Sequence, residues 1–293
     1  MKKIALIDVD GHNFPNLALM KISAYHKSIG NSVEWAGIGN YDQTYMSKVF
    51  TFTPDYQLGF SNYGEIIKGG TGHKTNIELP KHIDVMAPDY ELYPNLNSAY
   101  GFLTRGCPRK CAWCIVPKKE GDIYAYMDID EFLKDKKSAI LLDNNVLAHD
   151  HGLQQIEKIV KLGIRIDFNQ GLDARIIAEN IEIAKLLGKV KWLKPLRMAC
   201  DTNSQMPYLE KATELLRKYD CKPQKYFVYV LVREIKDALE RVEFLRRLKL
   251  DPFAQPYIDF ETGKTTKELR RFARWVNHKA IFNTVPYAQY RSL

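Results

Sequence analysis

The chain has 293 residues, 45% of them hydrophobic and 27% charged, with a formal net charge of +8. These values suit a globular protein of one large or two smaller domains. No run approaches the roughly 20 apolar residues that span a bilayer, and five cysteines are too few for a disulfide scaffold of this length.

The charge is uneven along the chain. Residues 1–96 carry 8 basic and 10 acidic side chains, whereas the remainder carries 35 and 25 and holds every arginine. The second part therefore suits an anionic partner, or else presents solvated basic helix faces such as Arg241–Lys249 and Lys267–Arg274.

The N-terminus, with Lys2 and Lys3 before a short apolar run, has the outline of a secretory leader. Asp8 and Asp10 interrupt that run and no small-residue cleavage site follows, so Lys3–Val9 is predicted as a first strand of a cytoplasmic protein. Pro15 then opens a helix through Leu17, Met20 and Ala24 that ends near Gly30. Ser32–Ile38 reads as a second strand, and a third is expected near Tyr45–Phe52. After Gly69-Gly70-Thr71-Gly72 the pattern turns irregular through Pro80, Pro88 and Pro94, which places a domain boundary near residue 96.

Beyond that point strands and helices alternate. Strands are predicted at Tyr100–Leu103, Ala139–Leu142, Ile164–Phe168, Arg197–Cys200, Tyr226–Val232 and Phe253–Ile258. Helical periodicity lies between them, in Leu153, Ile156 and Val160, in Leu209, Ala212 and Leu216, and in Leu239, Val242, Leu245 and Leu248. A last helix runs through Leu269, Phe272, Ala273 and Val276. Such alternation predicts an α/β fold with parallel strands, and six units in place of eight predict an open, partial (β/α)6 barrel. Ligands of such folds sit where the strands end.

Cys107, Cys111 and Cys114 fall within eight residues, directly after the first of these strands, while Cys200 and Cys221 stand apart. Three thiolates in one short loop can hold three irons of a cubane cluster and leave the fourth iron without a protein ligand. A zinc site is the competing reading, but the nearest histidines are His149 and His151 and no second C-x2-C knuckle exists. Buried structural thiols are the other alternative, although a loop containing Pro108, Arg109 and Lys110 is a poor core segment.

The string Gly101-Phe102-Leu103-Thr104-Arg105-Gly106-Cys107-Pro108-Arg109-Lys110-Cys111-Ala112-Trp113-Cys114 resembles the C-x3-C-x2-C signature of the radical S-adenosylmethionine superfamily. Trp113, the aromatic residue before the last cysteine, is part of the likeness, which extends over roughly residues 97–260. Cys114-Ile115-Val116-Pro117 is similar to members that modify tRNA or carry a cobalamin-type N-terminal domain. The resemblance implies a [4Fe–4S] cluster on the three cysteines, with S-adenosylmethionine chelated at its open iron. It also implies reductive cleavage to methionine and a 5′-deoxyadenosyl radical, which abstracts hydrogen from a substrate. A reductase, flavodoxin or ferredoxin would supply the electron.

The family's cofactor contacts lie at later strand ends, which directs attention to Asp143, Asn144 and Asn145, where the family often has a Gly-Gly-Glu-like element and this chain departs from it. The third strand exits through Asp167–Arg175, where Asn169, Gln170 and Arg175 are candidates for cofactor or substrate. Asp201, with Thr202, Asn203 and Ser204 behind it, serves either a ribose or carboxylate contact or a helix N-cap. Arg233-Glu234, Gln255 and Tyr257 end the fifth and sixth strands, and Arg105 either pairs with the cofactor carboxylate or caps the loop.

The N-terminal part resembles the Rossmann-like cobalamin-binding domain of one branch of the superfamily. Asp10-Gly11-His12 matches the start of the D-x-H-x-x-G fingerprint, but Pro15 replaces its glycine, and Ser47 and Gly69-Gly70 fall at loosely comparable spacings. A degenerate domain without cobalamin is expected. The substrate stays open between a nucleic acid or nucleotide, a peptide and a small molecule, because only Thr284–Leu293 follow Asn283 and no C-terminal RNA-binding module is expected there. The rival function is a non-catalytic iron–sulfur protein that binds nucleic acid, which would need Cys200 or Cys221 to close its cluster.

Overall fold

The computed structural model describes residues 1–11, 14–73, 78–259 and 263–290. In chain order the elements begin with β1 (Lys3–Asp8), α1 (Leu17–Ser28), β2 (Ser32–Trp35), β3 (Gln43–Ser47), β4 (Glu65–Gly69), α2 (Lys81–Asp84) and β5 (Ala99–Gly101). There follow β6 (Thr104–Arg105), α3 (Val116–Lys119), β7 (Tyr124–Ala125), α4 (Ile129–Leu133), β8 (Ser138–Leu141), α5 (Asp150–Leu162) and β9 (Arg165–Phe168). Next come α6 (Ala174–Glu179), α7 (Ile181–Gly188), β10 (Lys191–Trp192), β11 (Leu196–Ala199), α8 (Met206–Lys218) and β12 (Tyr226–Val232). The last are α9 (Ile235–Arg247), β13 (Asp251–Pro256), α10 (Lys267–Asn277) and α11 (Lys279–Thr284). Two units result: Met1–Gly101 with Met127–Lys137, and Phe102–Tyr126 with Ser138–Leu293.

The first unit contains a four-stranded parallel sheet in the order β2-β1-β3-β4. Ile4–Ile7 is apolar without alternation because β1 is buried along its whole middle. Asn16 caps α1 by accepting the Leu19 N–H at 3.3 Å, and Leu19 and Ile22 then pack with Ile4, Leu6 and Ile83. The third strand starts earlier than its sequence suggests and stops at Ser47. It stops there because the Asp10 carboxylate accepts the N–H groups of Val49 and Phe50 and the Thr53 hydroxyl, which turns the chain. Strand β4 had no readable pattern, since Glu65, Ile67 and Lys68 are all exposed.

The second unit is also α/β with parallel sheets. All the strands expected from Ala139 onward are present, with β13 beginning at Asp251. Strands β8, β9 and β10 form one parallel sheet, and β11, β12 and β13 form another. β10 and β11 are separated by a bend at Leu193 and Lys194 just before Pro195, whose missing N–H suits the break. β10 pairs with β9 and β11 with β12, so the run leads from one sheet to the next. At the edge of the second sheet, Asn277 of α10 takes the Ala254 N–H at 2.8 Å and gives its amide to the Ala254 carbonyl at 2.9 Å, satisfying part of the open edge of β13. Helices α6 and α7 were not separated by sequence pattern; Asn180 divides them by capping α7 through the Glu182 N–H at 3.0 Å. No helix among the described residues is long and apolar enough to cross a membrane.

Gly188 ends α7 where a Cβ would run into the carbonyl of Tyr219. A backbone oxygen cannot step aside as a side chain can, so Gly188→Ala is expected to cost about 1–3 kcal/mol. A urea titration checks this, with the midpoint lowered and the slope unchanged.

Candidate functional site

Strands β6 and β7 pair antiparallel, Thr104 opposite Ala125 and Arg105 opposite Tyr124, and pinch off the loop that holds all three clustered cysteines. Gly106 sits at φ +76°, where a Cβ would strike the Asp122 carbonyl, so the turn into Cys107 requires glycine. Cys107 N–H then bonds Gly121 at 3.2 Å, and Cys114 N–H bonds Cys111 at 3.0 Å. Arg105 forks onto Glu120 at 3.0 and 2.8 Å, and the Gly106 N–H reaches the same carboxylate at 3.0 Å. Burial pushes the Glu120 carboxyl up, but the Arg105 guanidinium holds it below the usual carboxylate range. Of the two roles open to Arg105, the structure places it in the loop brace.

The exit of β8 is committed to the same loop. Asp143, expected to meet a cofactor, is buried and turns its carboxylate onto the Leu103 N–H at 3.0 Å, the Thr104 N–H and the Thr104 hydroxyl at 2.8 Å. It is thus a positioning residue for the segment leading into the cysteines. Burial pushes its carboxyl up to about 6, against the pull of those hydrogen bonds. Asn144 donates to Glu120 at 2.8 Å. Asn145 donates to the Cys107 sulfur at 3.7 Å and to Asp173 at 3.3 Å, while its own buried Oδ1 has no hydrogen-bond partner among the described residues.

Asp173, at the start of α6, is the second hub. It accepts three bonds from Arg175, two from the guanidinium at 2.8 and 3.0 Å and one from the N–H at 3.1 Å, and one from Arg109 at 3.0 Å. Burial raises its carboxyl, but the two guanidinium groups hold it below its ordinary value. The Arg109 N–H also points at the Cys107 sulfur at 3.4 Å. Burial raises the Cys111 and Cys114 thiols; Arg175 opposes the rise at Cys111 and the Val116 N–H opposes it at Cys114.

A cavity of about 140 Å³ opens beside the loop, lined by Cys107, Cys111, Asn144, Gln170, Arg175 and Asp201 among others. Asp201 also lines a second cavity of about 390 Å³, with Thr202, Arg233, Glu234, Arg241 and Tyr257. Burial raises the Asp201 carboxyl, which accepts the Leu231 N–H at 2.9 Å. Buried Arg241 ties this region together by donating to the carbonyls of Cys200 at 2.7 Å and Leu231 at 3.1 Å. The Arg233 guanidinium stacks over Trp113, 4.6 Å from its ring centre.

The structure therefore gathers Asn144, Gln170, Arg175 and Asp201 around the cysteine loop, with Trp113 against Arg233. Asn169 and Gln255 line neither cavity; Gln255 is exposed on β13, and the Asn169 N–H bonds the Leu141 carbonyl. Thr202 forms a capping box with Gln205, and Asn203 reaches Glu240 at 2.8 Å. In the first unit the Ser47 hydroxyl accepts from Asn16 at 2.9 Å, and His12 lies outside the described residues. Sequence reasoning missed Glu120 and Arg241. Arg241 lies in the helix α9 that sequence read as a solvated basic face, but the structure buries it beneath the carbonyls it serves; for Glu120, only its charge opposite Arg105 hints at the pair.

Among the described residues, no three or more His, Cys, Asp and Glu side chains are grouped so as to hold one metal ion. A cubane cluster takes each cysteine on a separate iron, so its ligands stand further apart than those of a single ion. The donor set fits such a cluster: three partly exposed thiols, N–H groups aimed at one sulfur, and an orphaned amide oxygen beside it. No protein-family profile matches the chain, and no curated protein matches it in sequence.

The Asp143 carboxyl gives a checkable pH dependence. Its folded value, about 6, lies above the roughly 3.9 of an unfolded aspartate, so the folded state retains a proton that the unfolded state releases. Its contribution to stability is therefore full below pH 4 and is lost as pH rises towards 6. The wild-type chain is expected to lose on the order of 3 kcal/mol across that window relative to Asp143→Asn. Paired urea titrations at pH 4 and pH 6.5 measure the difference.

Proposed function

We propose that this chain is a radical S-adenosylmethionine enzyme of the partial (β/α)6 barrel type, with its cluster on Cys107, Cys111 and Cys114. The observation that carries the reading is the location of the C-x3-C-x2-C loop, open to a cavity where residues following β8, β9 and β11 converge. The run that leads from β9 to β12 through β10 and β11 supports the barrel arrangement.

When bound, a [4Fe–4S] cluster with one open iron supplies the electron that cleaves S-adenosylmethionine to methionine and a 5′-deoxyadenosyl radical. The chain's own residues set the stage. Glu120, Asp143 and Asp173 hold the loop that carries the thiols. Asn145 and the Arg109 N–H both aim donors at the Cys107 sulfur and so fix where it stands. Arg175 and Asn144 offer donors to the cofactor's carboxylate, while Gln170 and Asp201 offer polar contacts to its amino group and ribose. The larger cavity beyond Asp201 is the place for substrate. A reductase, flavodoxin or ferredoxin supplies electrons in a cytoplasmic setting. The first unit is a degenerate cobalamin-type domain that serves without cobalamin.

The test is anaerobic reconstitution with iron and sulfide, reduction with dithionite and addition of S-adenosylmethionine, with 5′-deoxyadenosine quantified by mass spectrometry. The wild-type chain is expected to form it, and the Cys107→Ala, Cys111→Ala, Cys114→Ala variant to fall to background. A chain that assembles the cluster yet forms no 5′-deoxyadenosine, even with cell extract as a substrate source, is instead a non-catalytic iron–sulfur protein.

A further inference from the structure

We infer that the N-terminal ends of the second unit's parallel strands form a surface that binds the sugar–phosphate backbone of a nucleic acid. This surface stands apart from the reading of the cysteine loop, whose cavity is lined by residues that follow the opposite ends of β8, β9 and β11.

Exposed cations precede or open the strands at this end. Lys161 and Arg165 stand at β9, Lys189 and Lys191 at β10, and Lys194 before β11. Lys222 and Lys225 precede β12, and Arg247 and Lys249 precede β13. Strand register brings these starts side by side, with Lys191 opposite Arg165, Leu196 opposite Tyr226, and Phe227 opposite Asp251. The Leu196 N–H bonds the Lys225 carbonyl at 3.1 Å, and Arg217 reaches the Leu248 carbonyl at 2.8 Å, so the loops join in one surface. The acids beside them are few: Asp220 pairs with Lys222, and Asp251 is shared by Lys225 and Lys279.

Helix polarity explains only part of this. Lys161, Arg217, Lys218 and Arg247 lie in last helical turns, where cations offset the dipole. Arg165, Lys191, Lys194, Lys222 and Lys225 lie in strand starts and loops, where no helix end asks for them. Secondary structure thus leaves a surplus of positive charge unexplained.

The chemistry favours a polyanion over a protein partner. A protein interface needs an apolar core, yet Leu162 is the one large hydrophobic side chain exposed at this end among the described residues. The aromatic rings here are already covered by cations: Tyr219 by Lys185 and Lys218, Tyr226 by Arg217, and Phe227 by Lys225. Lysines on flexible stems make point-charge contacts with phosphates, which give affinity through counter-ion release and need no base readout.

The test uses the full chain and fluorescence anisotropy with a fluorescein-labelled RNA hairpin and a DNA duplex across a salt series. The compared variants are the face set, Lys189→Gln, Lys191→Gln, Lys194→Gln and Lys249→Gln, and an equally charged control, Lys68→Gln, Lys81→Gln, Lys236→Gln and Lys267→Gln. Salt-sensitive binding is expected in the wild type, with affinity lowered at least about tenfold in the face set and a log–log salt slope shallower by about 3. The control is expected to stay within about twofold. Thermal midpoints alike in all three chains tie any loss to the surface. Equal losses in both variants would assign binding to net charge alone and overturn the inference. So would failure to bind either nucleic acid, including the case where anionic vesicles or an acidic flavodoxin bind this face instead. Because the readout needs no S-adenosylmethionine cleavage, the surface and the enzymatic reading stand or fall separately.

Discussion

The cysteine loop is held by carboxylates, and the deepest of them is Asp143. Taking an aspartate out of water is unfavourable, and here the raised carboxyl value records that cost. Two successive backbone N–H groups and a hydroxyl, all on Leu103 and Thr104, offset it. The return is geometric. The segment entering the loop is fixed to the exit of β8, and everything from Gly106 to Asp122 projects from that anchor. Glu120 then closes the loop from its far side through Arg105 and Gly106, and Asp173 brings α6 against it through Arg109 and Asn145. Three buried or half-buried carboxylates therefore set where the thiols stand, and none of them is a metal ligand in the proposed reading.

The two cavities depend on a second constraint, the interrupted run from Lys191 to Ala199. Pro195 ends one set of ladder bonds and lets the chain resume beside β12. Arg197 of β11 pairs with buried Asp167 of β9, and its carbonyl accepts the Leu172 N–H at 2.8 Å, which keeps the β9 exit against the β11 exit. Asp201 thereby stands where both cavities meet. A side chain in that position can touch ligands in either one, and its raised carboxyl makes its charge sensitive to what Arg175, Arg233 and Arg241 do around it.

Sequence made the main strands of the second unit legible because each is a short segment with buried residues between clear helical repeats, as in β12, whose Val228, Val230 and Val232 are all buried. The helices α5, α8, α9 and α10 were legible for the same reason. Short or exposed elements were not: β4 has little to bury, and α6 and α7 are separated only by the Asn180 cap. At the site, the cysteines were legible from spacing alone. Strand exits such as Asn144, Gln170, Arg175 and Asp201 were found because polar residues concentrate there. Glu120 and the positioning role of Asp143 were not, since they act through contacts 15 and 39 or 40 residues away, and a pairing at that distance leaves no local trace.

Parallel strands give a protein two chemically different ends, and this chain uses the difference. At the C-terminal ends, polar side chains of both signs are interleaved and largely satisfied by one another, as in Asp173 with Arg109 and Arg175. Such a setting is preorganised, so in the proposed reading little reorganisation would be needed for a charged cofactor to bind. At the N-terminal ends the exposed charges are mainly positive and mostly on lysines, with Asp220 and Asp251 as acidic partners among them. The mutual repulsion of the positive charges costs some stability, which a bound polyanion would relieve. A surface of that kind would act at long range and without fine geometry, while the opposite ends of the strands keep their fixed hydrogen-bond arrangement.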